Sequence, residues 1–236
     1  MGCGDCDWCQ AGTANHCPSR SVLGIINRAG AFASHLSLPA ANFHAVPATL
    51  DDETAVLVEP TAAACEILTQ VDIGPRATVA VVGDGRMALI VGQVLRTTGA
   101  NVTIFGKHDR KLLVARHIGL DARRSTDDTP ASSFDVSVDV TGRPAGLTRA
   151  LELVRPRGTV VMKSTFHGET PITLWPAIVD EVTLVGSRCG PFADAIALLA
   201  RDQVHTGPLL AGTYPLEEFE AAFAATRSEL KVLLRP

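Results

Sequence analysis

The sequence predicts a doubly wound α/β fold with a parallel sheet, preceded by a small metal-binding lobe. Three observations support this prediction: four cysteines cluster near the N-terminus, a glycine-rich turn joins an apolar strand to an amphipathic helix, and predicted strands and helices then alternate. The chain has 236 residues, of which 46% are hydrophobic and 19% are charged. Such a composition is typical of a globular protein with one large domain or two smaller ones.

Charge and hydropathy exclude several classes of function. The formal net charge is -4 and the Lys and Arg residues are scattered, so the chain offers no basic stripe for nucleic acid. No apolar run is long enough to span a bilayer, and the N-terminus lacks the basic start and apolar stretch of a secretory signal. We therefore expect a cytoplasmic protein that binds a small molecule, and neither nucleic acid nor a membrane.

The four N-terminal cysteines follow the pattern C-x2-C-x2-C-x7-C. Short loops can bring their thiolates around one ion, and a closed shell of four sulfurs is typical of structural Zn²⁺. The predicted zinc ligands are Cys3, Cys6, Cys9 and Cys17. The alternatives are free thiols or a redox C-x-x-C pair, but a redox pair would stand at the start of a thioredoxin-like helix, and we expect no such helix here.

A dinucleotide-binding turn follows the predicted strand at 78–82, which is continuously apolar. The turn reads G-x-G-x-x-A: the first glycine permits the turn, the second lets the backbone approach a pyrophosphate, and the alanine allows close helix packing. A helix that starts near Arg86 would direct its N-terminal amides at phosphate. The predicted cofactor-binding residues of this turn are Gly83, Gly85, Arg86, Met87 and Ala88.

The end of the second strand, at 101–105, indicates which dinucleotide is bound. An NAD enzyme places Asp or Glu there, against the adenosine ribose hydroxyls, whereas this chain has Gly106. With no carboxylate to repel a 2′-phosphate, and with Lys107 and His108 adjacent, the sequence favours NADP(H) over NAD(H). Asp109 competes for the carboxylate role, but we interpret it as a helix N-cap because it falls about three residues late.

The remaining elements continue the alternation. Strands are predicted at 134–140, 158–163 and 182–186, with helices at 145–154 and 174–179. Two amphipathic helices, at 191–201 and 216–226, and a short strand at 230–234 close the chain.

The cysteine lobe, a Gly-x-Phe-Ala segment and a Val-Glu-Pro segment together resemble the medium-chain dehydrogenase/reductase family, the zinc-containing alcohol and polyol dehydrogenases. The matching residues are Cys3-Gly4-Asp5-Cys6, Cys9, Gly12, Cys17-Pro18, Gly30-Ala31-Phe32-Ala33 and Val58-Glu59-Pro60. The resemblance implies a Rossmann domain at 60–189. It also implies a partial GroES-like β-barrel catalytic domain at 1–59, to which the segment 190–236 returns. It further places Thr141, after the strand at 134–140, beside the cofactor cleft.

The resemblance implies an oxidoreductase that transfers hydride between the hydroxyl of an alcohol, polyol or sugar and NAD(P), and favours a homo-oligomer. In that family the lobe follows a segment with a catalytic-zinc cysteine and a Gly-His-Glu motif, and no histidine of this sequence is followed by Glu. We therefore expect a truncated dehydrogenase. The alternative is a catalytically inactive NADP(H)-binding protein or subunit, so whether this chain is itself an enzyme is left open.

Glu59 is the one candidate catalytic residue, since the resemblance places it as a ligand or near neighbour of the catalytic zinc. The residues alone equally allow a structural role: Pro60 can be the first residue of a helix, with Glu59 beside the N-cap and stabilised by the helix dipole. Cys65 is a conceivable second ligand, although a lone cysteine among alanines is typical of a small buried hydrophobe.

Overall fold

The computed structural model describes residues 1–127, 129–165, 168–169 and 171–236. These residues form two compact units. The first, which we call the lobe unit, comprises residues 1–45 and 210–236, and the second, the sheet unit, comprises residues 46–209. The domain limits expected at 59/60 and 189/190 stay a prediction, and the limits between the compact units lie at 45/46 and 209/210.

Helices and strands alternate through the sheet unit and recur in the lobe unit. The helices are α1 (Asp7–Gln10), α2 (Asp52–Ala55), α3 (Val58–Gln70), α4 (Arg86–Arg96), α5 (Asp109–His117), α6 (Pro144–Leu153), α7 (Trp175–Val179), α8 (Phe192–Ala200) and α9 (Phe219–Ala225). The strands are β1 (Thr78–Val82), β2 (Asn101–Gly106), β3 (Asp121–Arg124), β4 (Phe134–Asp139), β5 (Val154–Met162), β6 (Thr183–Gly186), β7 (Leu210–Pro215) and β8 (Lys231–Arg235). None of the described helices is long and apolar enough to cross a membrane.

The sheet unit contains a six-stranded sheet of order β3-β2-β1-β4-β5-β6, in which every neighbouring pair is parallel. This arrangement confirms the predicted doubly wound sheet. The chain reverses its direction of winding between β1 and β4, and ligands of such sheets bind beyond the carboxyl ends of the strands at that point. The sheet topology therefore defines where a cofactor cleft should lie.

Buried apolar side chains on both faces of the central strands hold the sheet unit together. β1 and α4 are almost wholly buried, as their continuous apolar pattern predicts. On one side of the sheet, α6 packs onto a cluster in which the Phe105 and Phe134 rings meet edge to face with centroids 5.6 Å apart. On the other, α3 packs against α4 and α8. This core fixes the loops at the carboxyl ends of the strands.

The structure corrects several expectations about helix ends. α3 begins at Val58 rather than at Pro60, so Glu59 lies within its first turn. His108, and not Asp109, is the N-cap of α5; Asp109 is the first helical residue and forms an ion pair with Arg124. A one-turn helix, α1, does start directly after Cys6, where no helix was expected.

Two strands have no counterpart among the sequence predictions. β3 has the sequence DARR and a single buried residue, Ala122, so it carries no apolar run that would reveal it. β7 alternates half-buried and exposed residues and includes Gly212 and Pro215, which are uncommon in strands.

The lobe unit has little buried apolar surface. β7 and β8 pair in parallel, and α9 packs on both strands as their crossover. Within residues 1–45, all of which are described, Cys17 is the single buried side chain. The four cysteines therefore lie in a segment that lacks an apolar core of its own.

Candidate functional site

A cleft of about 450 Å³ lies at the carboxyl ends of the central strands, where the winding of the sheet reverses. Its walls come from the turn after β1, the end of β2, the loop after β3, the turn after β4 and the first half of α6. Six predicted cofactor-binding residues line it: Gly83, Gly85, Gly106, Lys107, His108 and Thr141. The sequence thus predicted residues on the β1, β2 and β4 sides of this cleft.

The glycine-rich turn has the geometry that its motif predicts. Gly83 has φ +131°, and a Cβ there would lie 3.1 Å from the Val140 side chain, so glycine is required. A Cβ on Gly85 would meet nothing within 4 Å, which leaves the backbone open to a ligand.

The other three residues predicted from the turn form the first turn of α4 and do not line the cleft: Arg86, Met87 and Ala88. Ala88 is fully buried, as expected for the position where helix and strand pack closely. Arg86 is exposed.

Asp84, between the two glycines, reaches across to the end of β2. Its Oδ2 accepts hydrogen bonds from the backbone amides of Lys107 (2.6 Å) and His108 (2.8 Å), and it contacts Nδ1 of His108 at 2.9 Å. Burial opposes ionisation, but these hydrogen bonds outweigh it and hold the pKa of the Asp84 carboxyl below its usual value. The end of β2 therefore does have a carboxylate beside it, although not one from β2 itself.

On the β4 side of the cleft, Thr141 is fixed by Asp139. The backbone amide and the hydroxyl of Thr141 donate to Oδ1 of Asp139 at 3.0 and 2.7 Å. Asp139 is 1% exposed, and this burial raises the pKa of its carboxyl in spite of the two hydrogen bonds. The turn after β5 is tied to the same place, since Ser164 Oγ accepts from the amide of Gly142 at 2.9 Å.

Five cleft residues with polar or charged side chains were not predicted from the sequence: Asp84, Lys111, Ser125, Arg143 and Arg149. The Nε atom of Arg149 is buried and has no hydrogen-bond partner among the described residues. Asp84 had a usable signal, because a charged residue between the two glycines of a buried turn needs partners. Lys111 and Arg149 lie one and two turns inside helices, where nothing in the sequence distinguishes them from solvent-exposed charges.

The second site is the cysteine cluster of the lobe unit. The Sγ atoms of Cys3, Cys6, Cys9 and Cys17 all lie within 4.8 Å of one another, and those of Cys6 and Cys9 are 3.6 Å apart. Zn–S bonds of about 2.3 Å in a tetrahedron put sulfurs roughly 3.8 Å apart, so the cluster fits a zinc ion. Hydrogen bonds with the backbone of Asp5 and Cys6, and then with the Cys17 side chain, lower the pKa of the Cys3 thiol to about 7, which favours the thiolate that a metal needs. For Cys6, a backbone hydrogen bond at Cys9 is outweighed by desolvation and the neighbouring thiols, which raise the pKa of the thiol to about 11, so a metal ion would have to displace its proton.

Glu59 is not gathered with other metal ligands. Its side chain is exposed, although Leu57 and Val58 just before it are buried. Cys65 is 3% exposed, and burial raises the pKa of its thiol to about 11, as expected of a small buried hydrophobe. Within the described ranges, the four-cysteine cluster is the only group of three or more His, Cys, Asp or Glu side chains that could hold a metal ion.

A lysine occupies the region between α3 and the end of β5. Lys163 is half-buried, and its Nζ donates to Ser187 Oγ at 3.0 Å. Burial lowers the pKa of Lys163 to about 8, against the opposing fields of Glu66, Cys189 and Glu59. The negative charge of Glu59 therefore acts on Lys163, and Glu59 is not part of a second ligand cluster among the described residues.

Comparison with known proteins gives a consistent class of relatives, the zinc-binding dehydrogenases. The sequence profile of the zinc-binding dehydrogenases matches residues 87–201. A sorbitol dehydrogenase from Halalkalibacterium halodurans is 29% identical over 252 residues, which cover 99% of this chain and 73% of that protein. A 2-dehydro-3-deoxy-L-galactonate 5-dehydrogenase from Pseudoalteromonas atlantica is 27% identical, and the match covers 94% of this chain and 68% of that protein.

Solved structures give the same result. A zinc-binding dehydrogenase from Sinorhizobium meliloti bound to NADP superimposes with a TM-score of 0.91 at 25% identity, covering 100% of this chain and 74% of that one. L-idonate 5-dehydrogenase from Escherichia coli superimposes with a TM-score of 0.91 at 25% identity, and the match covers 99% of this chain and 72% of that one. The predicted fold class is confirmed. These matches agree with the resemblance that the four-cysteine lobe and the glycine-rich turn indicated, and they make the chain similar to the zinc-binding dehydrogenases of the medium-chain dehydrogenase/reductase family.

Proposed function

We propose that this chain binds a nicotinamide dinucleotide in the cleft and one structural zinc ion in the lobe, as part of an oxidoreductase that transfers hydride to or from a hydroxyl-bearing carbon. The observation that carries the proposal is the cleft itself, which combines an open glycine backbone with cationic side chains at the reversal point of the sheet. The bound nicotinamide would supply the redox chemistry, and the protein its position and electrostatic environment.

Charge in the cleft suits a phosphorylated ligand. Four cationic side chains line it: Lys107, Lys111, Arg143 and Arg149. Gly85, the N-cap of α4, lines the cleft, so the positive end of the helix dipole lies at its wall. The buried Nε of Arg149, which has no partner within the described part of the chain, would gain one from a phosphate oxygen.

For the choice of dinucleotide we propose NADP(H) over NAD(H). Gly106 carries no carboxylate, and Lys107, His108 and Lys111 line the cleft beside it. The Sinorhizobium meliloti relative was solved with NADP, which supports this choice at 25% identity. A dehydrogenase from E. coli that shares 24% identity with this chain was solved with NADH, so the fold itself serves both cofactors.

As substrate we propose a polyol or a sugar acid. Relatives named for sorbitol, arabinitol, galactonate and idonate support this class. The second candidate function, a nucleotide-binding protein or subunit without turnover, is favoured by one specific observation: the candidate catalytic residue Glu59 has no ligand cluster around it in the described ranges.

We also propose a homo-oligomer. β6 is an edge strand of the sheet, and the preceding helix exposes large apolar side chains: Trp175, Ile178 and Val179 are 64%, 77% and 68% exposed. An unpaired strand edge beside apolar surface favours pairing with a second copy. Light scattering at several concentrations tests this, and a concentration-independent monomer would contradict it.

Binding and zinc content test the main proposal together. Titration calorimetry with NADP⁺ should give a saturable signal that Gly85→Val abolishes, because the new side chain fills the open space of the cleft. Gly74→Val is the matched control, since its Cβ also meets nothing within 4 Å and Gly74 does not line the cleft.

Elemental analysis then separates the two candidates. About one zinc per chain, with binding but no oxidation of a polyol panel, would support the nucleotide-binding protein. Close to two, with turnover, would support an active dehydrogenase, and a wild-type chain that binds no dinucleotide would overturn both.

A further inference from the structure

We infer that Asp84 is a positioning residue for the 2′-phosphate of NADP(H): it holds the Lys107-His108 segment and the His108 ring in place at the adenosine end of the cleft. This inference rests on the proposed dinucleotide function and deepens it. Asp84 is 8% exposed, lies between the two glycines of the turn, and spans the gap from the β1 loop to the end of β2.

The hydrogen bonds of Asp84 argue that its carboxylate is committed to the protein. Oδ2 meets three donors, namely two backbone amides and the His108 ring, and Oδ1 lies 3.1 Å from the same ring. A carboxylate that reads ribose hydroxyls must have lone pairs available to accept from them, and those of Oδ2 are already used. Oδ1 keeps a lone pair, but its hydrogen-bond partner is the same His108 ring, so we assign the carboxylate the role of organising the loop after β2.

Gly106 is explained by the same contact. A Cβ on residue 106 would lie 2.5 Å from Cβ of Asp84 and 2.8 Å from its Oδ2. A side chain at residue 106 would displace Asp84. The position that carries the ribose-binding carboxylate in NAD enzymes must therefore be glycine in this chain. Glycine at position 106 leaves the space that the Asp84 side chain occupies, and for the same reason β2 carries no carboxylate there.

The segment that Asp84 holds is basic and faces the cleft. His108 is the N-cap of α5, and its side chain is 63% exposed while Nδ1 contacts Asp84. A protonated ring donates from both nitrogens, one to Asp84 and the other to a phosphate oxygen. Lys107 and Lys111 line the same wall, so a dianionic phosphate would meet two lysines and an oriented imidazole.

The opposite interpretation has a distinct signature. If the negative charge of Asp84 acted directly on the ligand, it would repel a 2′-phosphate, and the residue would select NAD(H) instead. The two interpretations predict changes of opposite sign when the carboxylate is removed.

The test uses two half-cofactors that differ only at the 2′ position, 2′,5′-ADP and 5′-AMP, measured by titration calorimetry. Asp84→Ala and His108→Ala should each weaken 2′,5′-ADP about tenfold, the loss expected of a charge-assisted hydrogen bond, and change 5′-AMP less than about twofold. The double variant should lose no more than either single one, because Asp84 acts through His108. Asp84→Asn keeps an acceptor oxygen for the two amides and should recover part of the affinity.

The matched control is Asp135→Asn. Asp135 also accepts from a backbone amide and from side chains, but it does so at the amino end of β4, away from the cleft. Its nucleotide affinities should equal those of the wild type.

Three results would overturn the inference while leaving the proposed function intact: tighter 2′,5′-ADP binding by Asp84→Ala, equal losses for both nucleotides, or additive losses in the double variant. A wild-type chain that binds neither nucleotide would overturn the proposed function as well.

Discussion

The lobe unit and the sheet unit are stabilised in opposite ways. In the sheet unit, side chains such as Leu89, Ile104 and Phe105 are fully buried between helices and strands. In residues 1–45, all of them described, Cys17 alone is buried, and aromatic side chains such as Trp8 and Phe32 are 53% and 68% exposed. The first region has an apolar core, and we propose that the second depends instead on a zinc ion held by four sulfur ligands.

This difference decides how each region responds to change. A core distributes its free energy over many contacts, so one truncation removes a fraction of it. A metal centre concentrates its free energy in four bonds, so the loss of one ligand removes most of it. Experiments that perturb one unit and observe both can therefore break or sharpen the comparison.

Loss of a zinc ligand should have the largest effect. Structural zinc contributes roughly 10–16 kcal/mol of apparent binding free energy in small domains, and it does so only with its full ligand set. We expect Cys17→Ser to lower zinc from about one per chain to near zero and to expose the amides of residues 6–17 to hydrogen exchange, while β1 and α4 stay protected. Cys189→Ser, an exposed cysteine outside the cluster, is the control. Retention of zinc by the Cys17 variant would contradict the four-thiolate site.

A core truncation should produce the complementary result. Leu89 in α4 is fully buried, and Leu→Ala changes at such sites cost about 2–5 kcal/mol. Urea unfolding of Leu89→Ala should show this loss for the sheet unit with zinc content unchanged. If the zinc were released at the same time, the two units would not be energetically separate.

A substitution at Gly106 tests whether the cofactor cleft is packed as tightly as the core. From the sequence alone, Gly106→Asp would install the ribose-binding carboxylate of an NAD enzyme. In the structure the new side chain overlaps Asp84, so we expect a loss of about 1–3 kcal/mol in the free energy of unfolding from overpacking, together with loss of both NAD⁺ and NADP⁺ binding. Tight NAD⁺ binding by this variant, measured by calorimetry, would show that the end of β2 is not constrained as we infer.

The elements that the sequence predicted share a physical property, and so do those that it missed. β1, β2, α4 and β4 have dense apolar patterns because they are buried by the sheet, and their predicted positions agree with the structure to within a residue or so. β3 and β7 are held by backbone pairing and carry little apolar signal, so periodicity could not reveal them.

The candidate site shows the same division. Gly83, Gly85 and the four cysteines were found because local spacing encodes their geometry. The partnership of Asp84 with His108 joins residues 24 positions apart through a contact that exists only once β1 and β2 are paired. The exposure of Glu59 has a related cause: buried neighbours in sequence do not fix which face of a helix a residue occupies.

The smallest expected effect concerns the amino end of the sheet, which is held by polar contacts rather than by apolar packing. Oδ2 of Asp135 accepts from the amide and hydroxyl of Thr78, each at 2.7 Å, and Arg155 Nε donates to Oδ1 at 2.7 Å. The hydrogen bonds from Thr78 and then Arg155 lower the pKa of the Asp135 carboxyl to about 2.

Since this pKa lies below that of an unfolded aspartate, the ionised group stabilises the fold at neutral pH, and the contribution is lost as the pH falls from about 4 towards 2. The side chain is 35% exposed, so after allowance for solvent screening we expect Asp135→Asn to cost about 1 kcal/mol at pH 7, and progressively less below about pH 4. Urea unfolding at several pH values measures the difference, with exposed Asp72→Asn as the control. A cost that stays constant between pH 7 and pH 3 would mean that hydrogen-bond geometry, and not charge, is what Asp135 contributes.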